Sequence, residues 1–114
     1  MSNLFTFRRY KKDEGNSTKK SKHPKLIVDE ENNEFGFMGI THKRKRGNHN
    51  NIPLNHNPNS TDPEDSYVRL ELRYDKKKNF SEPINEYVLH ESDLLKLIPY
   101  IEKLKRKSKK NKKR

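Results

Sequence analysis

Apolar residues are scarce in this chain, and they are gathered into short runs that must supply any hydrophobic core. Two of these runs lie close together, at Lys25 to Asp29 (KLIVD) and at Glu34 to Thr41 (EFGFMGIT). Both are rich in β-forming residues, and the polar segment Glu30 to Asn33 between them is typical of a turn. We therefore expect a β-hairpin in this part of the chain.

Two further apolar runs and a helical pattern follow. Ser66 to Asp75 (SYVRLELRYD) alternates apolar and polar residues, which is typical of a half-buried strand. Glu86 to His90 (EYVLH) is a shorter candidate strand. Ser92 is then a candidate N-cap for a helix that reaches Leu104, because apolar residues recur there at helical spacing. Pro99 is expected to kink this helix or to start a second turn.

These elements predict one small domain of mainly β structure with a C-terminal α-helix, that is, an α+β fold. We expect a small antiparallel sheet or barrel, closed by the helix. The domain spans residues 23–104 and includes a long loop at 42–65. A basic arm (1–22), with a short candidate strand at Leu4 to Arg8, precedes it. A basic tail (105–114) follows it and either extends the helix or, as we expect of both tails, is disordered.

The charge balance narrows the kind of partner. Lys and Arg number 27 against 16 Asp and Glu, which gives a formal net charge of +11. Such an excess is the electrostatic footprint of a protein that binds a polyphosphate. We therefore predict that the partner is a nucleic acid, with RNA favoured over DNA.

Other classes of protein are excluded by features that the sequence lacks. The chain has no cysteine, which excludes disulfides and thiolate catalysis. No apolar stretch has the length and position of a signal peptide or a membrane span. We expect a cytoplasmic protein with no membrane partner.

The order of the predicted strands and helix also resembles that of a known protein family. A basic residue followed by proline (His23-Pro24) opens the first strand, a polar turn follows, and the second strand ends at Thr41. A strand from Ser66 to Tyr74 and a helix from Ser92 to Leu104 complete the pattern. In this order the chain resembles the MazF/PemK family of toxins, which are compact barrels that cleave single-stranded RNA. The family has an arginine where this chain has His23.

The resemblance implies a metal-independent endoribonuclease with no cofactor. Cleavage of RNA without a metal needs a base, a donor that holds the phosphate, and an acid. By analogy, Thr41 would donate a hydrogen bond to the scissile phosphate, and His23 would replace the arginine as base or phosphate partner. His42 is a second candidate for proton transfer. The resemblance further implies a homodimer and an antitoxin or host-protein partner.

Several cations are candidates for contacts with the phosphate backbone. A basic cluster follows directly after Thr41, and two arginines lie on the charged face of the third strand, so that the predicted contacts are Lys43, Arg44, Lys45, Arg46, Arg69 and Arg73. The alternative is that the cluster is an ordinary solvated loop. His42, His49 and His56 are irregularly spaced in a flexible loop, and we therefore predict no metal site.

A different class of function remains open. The chain would then be a non-catalytic nucleic-acid-binding protein, or an inhibitor, of a phage or mobile element. It would bind RNA or DNA without cleavage, with an affinity that falls steeply with salt and that is indifferent to His23 and Thr41.

Overall fold

The computed structural model describes residues 3–11, 24–46, 49–59 and 63–112 and, within these ranges, all side chains except those of residues 46, 49 and 109–112. His23 and the greater part of the predicted N-terminal arm lie outside the described residues.

The described residues contain eight strands, one α-helix and a 3-10 helix at Lys77–Asn79. The α-helix, α1, spans Glu91–Lys112. The strands are β1 (Phe7–Arg8), β2 (Lys25–Glu31), β3 (Glu34–Thr41), β4 (Lys45–Arg46), β5 (His49–Asn50), β6 (Ile52–Pro53), β7 (Tyr67–Val68) and β8 (Arg73–Lys76).

The predicted hairpin is confirmed as β2 and β3. The two strands pair antiparallel, with Glu31 opposite Glu34 at the closed end. Asn32 and Asn33 form the turn, and Asn32 has a φ of 53°. This left-handed conformation is one that asparagine tolerates better than most residues, which explains why a pair of asparagines stands here.

The predicted strand from Ser66 to Asp75 is broken in the structure. β7 pairs with the end of β3 at Ile40, whereas β8 pairs with the first half of β3, up to Phe37. Residues 69–72 therefore stand opposite only two residues of β3. Because extra residues leave the ladder at a bulge, one continuous alternation is lost here.

The sheet confirms the small α+β fold with antiparallel strands. Its strand order is β1-β2-β3-β7-β6, with β8 also paired to β3, while β4 and β5 form a separate two-stranded ribbon. The sheet is open, so the expected alternative of a closed barrel is wrong. The strands are too short and too interrupted to bring β1 and β6 together.

Both faces of the sheet are covered. The larger cluster lies between the sheet and α1 and consists of Phe7, Leu26, Val28, Met38, Ile40, Ile52, Leu54, Val68, Leu97 and Ile101. The smaller cluster is aromatic and consists of Ile27, Phe35, Phe37 and Phe80, with Tyr10 packed against it. A few apolar residues thus supply two cores, because β2 and β3 contribute side chains to both faces.

α1 is longer than predicted at both ends. It starts at Glu91, and the backbone N–H of Ser92 donates to Nδ1 of His90 at 3.2 Å, so His90 and not Ser92 is the N-cap. Pro99 lies inside the helix, which continues to Lys112. The tail that was expected to be disordered is therefore helical over residues 105–112.

The predicted strand at Glu86 to His90 is wrong. Tyr87 forms an isolated bridge with Asn59, within a turn and not within a strand. Tyr87 and Leu89 pack against the larger core cluster. Their apolar character reflects this packing and not strand pairing.

A buried carboxylate ties α1 to the loop after β6. Asp93 is fully buried, and its two oxygens accept the backbone N–H groups of Asn55 and His56, each at 2.9 Å. Hydrogen bonds to a carboxylate are among the stronger ones in proteins. Asp93 therefore fixes the long loop, which sequence patterns leave without an obvious anchor on the helix.

A second polar contact joins the sheet to the basic half of α1. A β-bulge between Ile27 and Asp29 turns Asp29 toward the helix, where its carboxylate lies 3.6 Å from Nζ of Lys105. The hydroxyl of Tyr74 donates to the same carboxylate at 2.6 Å. Burial and this hydrogen bond raise the pKa of Tyr74 above its usual value, so that the phenol stays a donor.

Within the described part of the chain, no helix combines the length and the apolar character that crossing a membrane requires.

Replacing Gly36 by alanine is expected to lower the free energy of unfolding by about 2 kcal/mol, the usual cost of forcing a methyl group into a packed site. The added Cβ would lie 2.7 Å from Cε2 of Tyr74 and 2.9 Å from Cβ of Asp29. Both are closer than carbon atoms pack, so Tyr74 must move away from Asp29. Urea denaturation measures the change.

Gly39→Ala is the matched control in the same strand. Its added Cβ would meet only the side chain of Arg69, with Cδ at 3.3 Å, and that chain can shift. We expect a change within about 0.5 kcal/mol. Equal losses in the two variants would contradict the described packing of Tyr74 on Gly36.

Candidate nucleic-acid interface

The predicted site residues gather where β3 ends, a region called here the Thr41 end of the sheet. Thr41 pairs with Tyr67 of β7, and the backbone N–H of Ile40 donates to the carbonyl of Pro24 at 3.2 Å. Pro24 is the residue that follows His23 in the sequence. The start of β2, the end of β3 and the start of β7 therefore meet at this point.

Thr41 itself is buried, with 3% of its surface exposed. Its Oγ1 accepts the backbone N–H of Lys43 at 3.1 Å. A threonine hydroxyl that accepts one hydrogen bond still has its own proton to donate. In this arrangement Thr41 fixes the path of the chain as it leaves β3 and enters the basic cluster.

His42 is the accessible acid-base group at this end. Its Nδ1 lies 3.6 Å from Oε2 of Glu64, and about a third of the imidazole is exposed. A carboxylate beside one ring nitrogen orients an imidazole. The pairing crosses the long loop, because Glu64 belongs to the segment just before β7.

The basic cluster leads from the Thr41 end into the two-stranded ribbon of β4 and β5. β4 and β5 pair with Lys45 opposite Asn50, and Lys43, Arg44 and Lys45 are exposed. Buried Asn51 holds the base of this ribbon: its side-chain Nδ2 donates to the carbonyl of Lys43, and its backbone N–H donates to that of Arg44, each at 2.9 Å. Two hydrogen bonds from one residue therefore orient the ribbon.

Arg69 follows β7 in the chain and lies against Gly39, near the end of β3. Its backbone N–H donates to the carbonyl of Gly39 at 2.8 Å, and its side chain lies over Gly39, where a Cβ would meet its Cδ. Lys25 pairs with Gly39 from the other side. Because Gly39 has no side chain, Arg69 can reach across β3 toward Lys25, and two cations flank one glycine close to Thr41.

Arg73 does not join the other predicted contacts. It pairs with Phe37, nearer the middle of β3, and its guanidinium carbon lies 5.1 Å from the centre of the Phe37 ring. This is the geometry of a cation–π contact with the aromatic core. Arg73 covers that core, whereas Arg69 faces the Thr41 end.

A second group of lysines lies at the opposite end of β3, beside the Asn32–Asn33 turn. Lys76 and Lys78 are exposed there, whereas Lys77 pairs with Glu30 at 2.6 Å. Hydrogen bonds from Lys77 and from Asn3 hold the pKa of Glu30 below its usual value. Part of the positive charge at this end is therefore neutralised within the fold.

The described residues contain no group of three or more His, Cys, Asp or Glu side chains that could hold a metal ion. His56, one of the histidines considered for such a site, stacks on the ring of His90 with the centroids 3.7 Å apart. His23 cannot be placed relative to Thr41, because it lies outside the described residues.

Three structural contributors were missed from the sequence. Asn51 looks like one of many loop asparagines, and Glu64 like part of an acidic turn. Asp93 follows Ser92, the serine predicted as the cap, and looks in the sequence like an ordinary first-turn acid. Each acts through a partner distant in sequence, which no local pattern reveals. The absence of any acidic residue between Glu34 and Asp62 was the available signal that the first part of the loop carries an excess of positive charge.

Comparison with protein-family models, with curated proteins and with solved structures finds no match. The resemblance to the MazF/PemK family therefore stays a prediction, and the function is argued from the geometry of the Thr41 end.

Proposed function

We propose that this protein binds single-stranded RNA through the Thr41 end of its sheet. The observation that carries the proposal is that the exposed cations Lys43 to Lys45 and the side chain of Arg69 both lie near the end of β3. Lys43 to Lys45 belong to a stretch of sequence with no acidic residue from Phe35 to Thr61. A surface with such a group of exposed cations attracts phosphate backbones, because binding releases condensed counterions.

The preference for a single strand has its own support. Tyr67 is half-buried and pairs with both Thr41 and Pro53, so its ring lies at the same end as the cations. An aromatic ring next to a cationic groove offers a stacking surface for an unpaired base. The consecutive cations Lys43 to Lys45 also suit a flexible strand whose phosphates can follow them.

Neutralising two lysines of the basic cluster, Lys43→Gln with Lys45→Gln, is expected to weaken binding of a short labelled single-stranded RNA on the order of tenfold at moderate salt. Each lost phosphate contact also lowers the slope of log affinity against log salt by about 0.7, so the slope falls by about 1.4. Fluorescence anisotropy over a salt series measures both quantities.

Lys76→Gln with Lys78→Gln is the matched control, because it removes the same charge with the same spacing at the opposite end of β3. We expect less than half the loss of affinity for this variant. Equal losses in the two double variants would mean that only the net charge matters, and the proposed interface would fail.

A second candidate function, cleavage of the bound RNA, is favoured by the pairing of His42 with Glu64 beside these cations. Here the imidazole takes the proton of a 2′-hydroxyl, whose oxygen then bonds to the adjacent phosphorus. The bond from phosphorus to the 5′-oxygen breaks, and that oxygen takes a proton from the imidazolium or from solvent water, which leaves a 2′,3′-cyclic phosphate and a 5′-hydroxyl. Nearby cations would stabilise the negative charge that develops on the phosphate.

His42→Ala is expected to reduce cleavage of single-stranded RNA in EDTA at least about a hundredfold, the usual range for loss of a general base. Glu64→Gln, which keeps the shape and removes the charge, should reduce it less. His56→Ala is the control, since that ring stacks on His90 and is not paired with Glu64. Products are resolved on a denaturing gel.

RNA that stays intact but is retained by the wild-type chain would contradict the cleavage candidate and leave the binding proposal standing. It would favour the non-catalytic alternative, a binding or inhibitory protein.

A further inference from the structure

Lys25, Gly39 and Arg69 stand in one row across the sheet, next to the Thr41 end. Lys25 is opposite Gly39 in the pairing of β2 with β3, and the backbone N–H of Arg69 donates to the carbonyl of Gly39 at 2.8 Å from the other side. Opposite residues of antiparallel strands have their Cα atoms about 5 Å apart, so the two cations lie about 10 Å apart at their Cα atoms. Because Gly39 has no side chain, the row has an open position at its centre.

The open position is crossed by the side chain of Arg69. A Cβ on Gly39 would lie 3.3 Å from Cδ of Arg69 and 3.7 Å from its Nε, so the end of this side chain passes directly over the glycine. The other glycine of β3 serves a different purpose, because at Gly36 the ring of Tyr74 fills the space, with its Cε2 at 2.7 Å. Gly36 thus makes room for a packed ring, whereas Gly39 makes room for a cation that lies flat on the strand.

The guanidinium of Arg69 is not used by the fold. Two other arginines on this face of the sheet have partners: Arg8 donates to the carbonyl of Ser81 at 3.0 Å, and Arg73 lies over the ring of Phe37. Among the residues that the structure describes, the side chain of Arg69 has no ion pair, hydrogen bond or ring contact. It is half-buried, which limits its conformations. A guanidinium held in this way offers a planar fork that binds two oxygens of one phosphate.

Tyr67 is the next residue along the strand on the same face as Arg69. Val68, which stands between them, is buried in the larger cluster under α1. Successive side chains of a strand point to opposite faces, so Tyr67 and Arg69 both lie on the face away from α1, about 7 Å apart along the strand. A nucleotide whose phosphate contacts Arg69 therefore has the Tyr67 ring within reach of its base.

We propose that Arg69 and Tyr67 form a subsite for one nucleotide on the face of the sheet away from α1, and that Gly39 is the positioning residue that lets Arg69 reach it. Arg69 binds the phosphate and Tyr67 stacks on the base. Neither contact reads the edge of a base, so the subsite accepts any unpaired nucleotide of the strand. Lys25 is buried, and the contact with the phosphate is assigned to Arg69 alone. The inference rests on the proposed binding of single-stranded RNA.

The phosphate contact is tested with the full chain and a short labelled single-stranded RNA, by fluorescence anisotropy over a salt series. Arg69→Gln should weaken binding about tenfold and lower the slope of log affinity against log salt by about 0.7, the value for one phosphate contact. Arg69→Lys keeps the charge but loses the fork, so it should keep the slope and bind about threefold more weakly than the wild-type chain. Arg73→Gln is the matched control, and it should lose less than half as much as Arg69→Gln.

The role of Gly39 is tested by a substitution that changes no charge. Gly39→Val places a branched side chain under Arg69 and should reproduce both the loss of affinity and the loss of slope seen with Arg69→Gln. Combined with Arg69→Gln it should add no further loss, because both changes remove the same contact. Gly39→Ala should give an intermediate loss of affinity, and it keeps the test open if Gly39→Val does not fold. Destabilisation alone would not change the salt slope.

The base contact is tested with Tyr67→Leu, which keeps an apolar side chain but loses the stacking surface. This variant should bind the RNA about fivefold more weakly than the wild-type chain. With an RNA of the same length that lacks its bases, the two chains should bind equally. An equal loss with both RNAs would mean that Tyr67 acts through the fold, which would overturn the base contact.

Equal losses in Arg69→Gln and Arg73→Gln would overturn the phosphate contact, and a folded Gly39→Val chain that binds like the wild-type chain would overturn the role of Gly39. In both cases a loss of affinity in the Lys43→Gln, Lys45→Gln variant would leave the proposed RNA binding standing. A wild-type chain that does not bind the RNA at any salt concentration would overturn both proposals together.

Discussion

The hydrogen-bonded pairing of β3 is the constraint on which the rest of the structure depends. β3 is bonded to β2 on one side and to both β7 and β8 on the other. Its alternate residues supply aromatic side chains to one core and aliphatic side chains to the other. A slip of one residue would exchange the two faces. The position of Thr41 and the start of the basic ribbon are therefore set by the same register that forms both cores.

Because apolar residues are scarce, buried polar contacts do much of the work of holding the loop, the strands and the helix together in this fold. Asp93 is fully buried, and its carboxylate accepts two backbone N–H groups of the long loop. Arg8 is buried over the ring of Phe35, where its guanidinium donates to the carbonyl of Ser81. Buried charge is costly unless it is fully hydrogen-bonded, so these residues specify one arrangement of loop, strand and helix.

The sequence was sufficient to predict whatever depended on local pattern. The β2–β3 hairpin, the α+β class and the C-terminal helix follow from runs of β-formers, an Asn-Asn turn and helical spacing. The break in the predicted strand from Ser66 to Asp75 could not be predicted, because apolar and polar residues alternate through it without interruption. Only the pairing with β3 shows that this segment has two more residues than the part of β3 opposite it. The same holds for the candidate site. The sequence shows Lys43 to Lys45 as a charge cluster. It does not show that Arg69 and Arg73 lie apart or that His42 pairs with Glu64, because both depend on the strand register.

The central claim is that the Thr41 end, and not the molecule's net charge, binds RNA. The most direct measurement is a titration of the ¹⁵N-labelled chain with a short single-stranded RNA, followed by the shifts of its backbone amide resonances. We expect the largest changes at residues 41–45 and at Arg69, with small changes at residues 76–78. Changes of equal size at both ends of β3, or changes confined to the basic half of α1, would contradict the account.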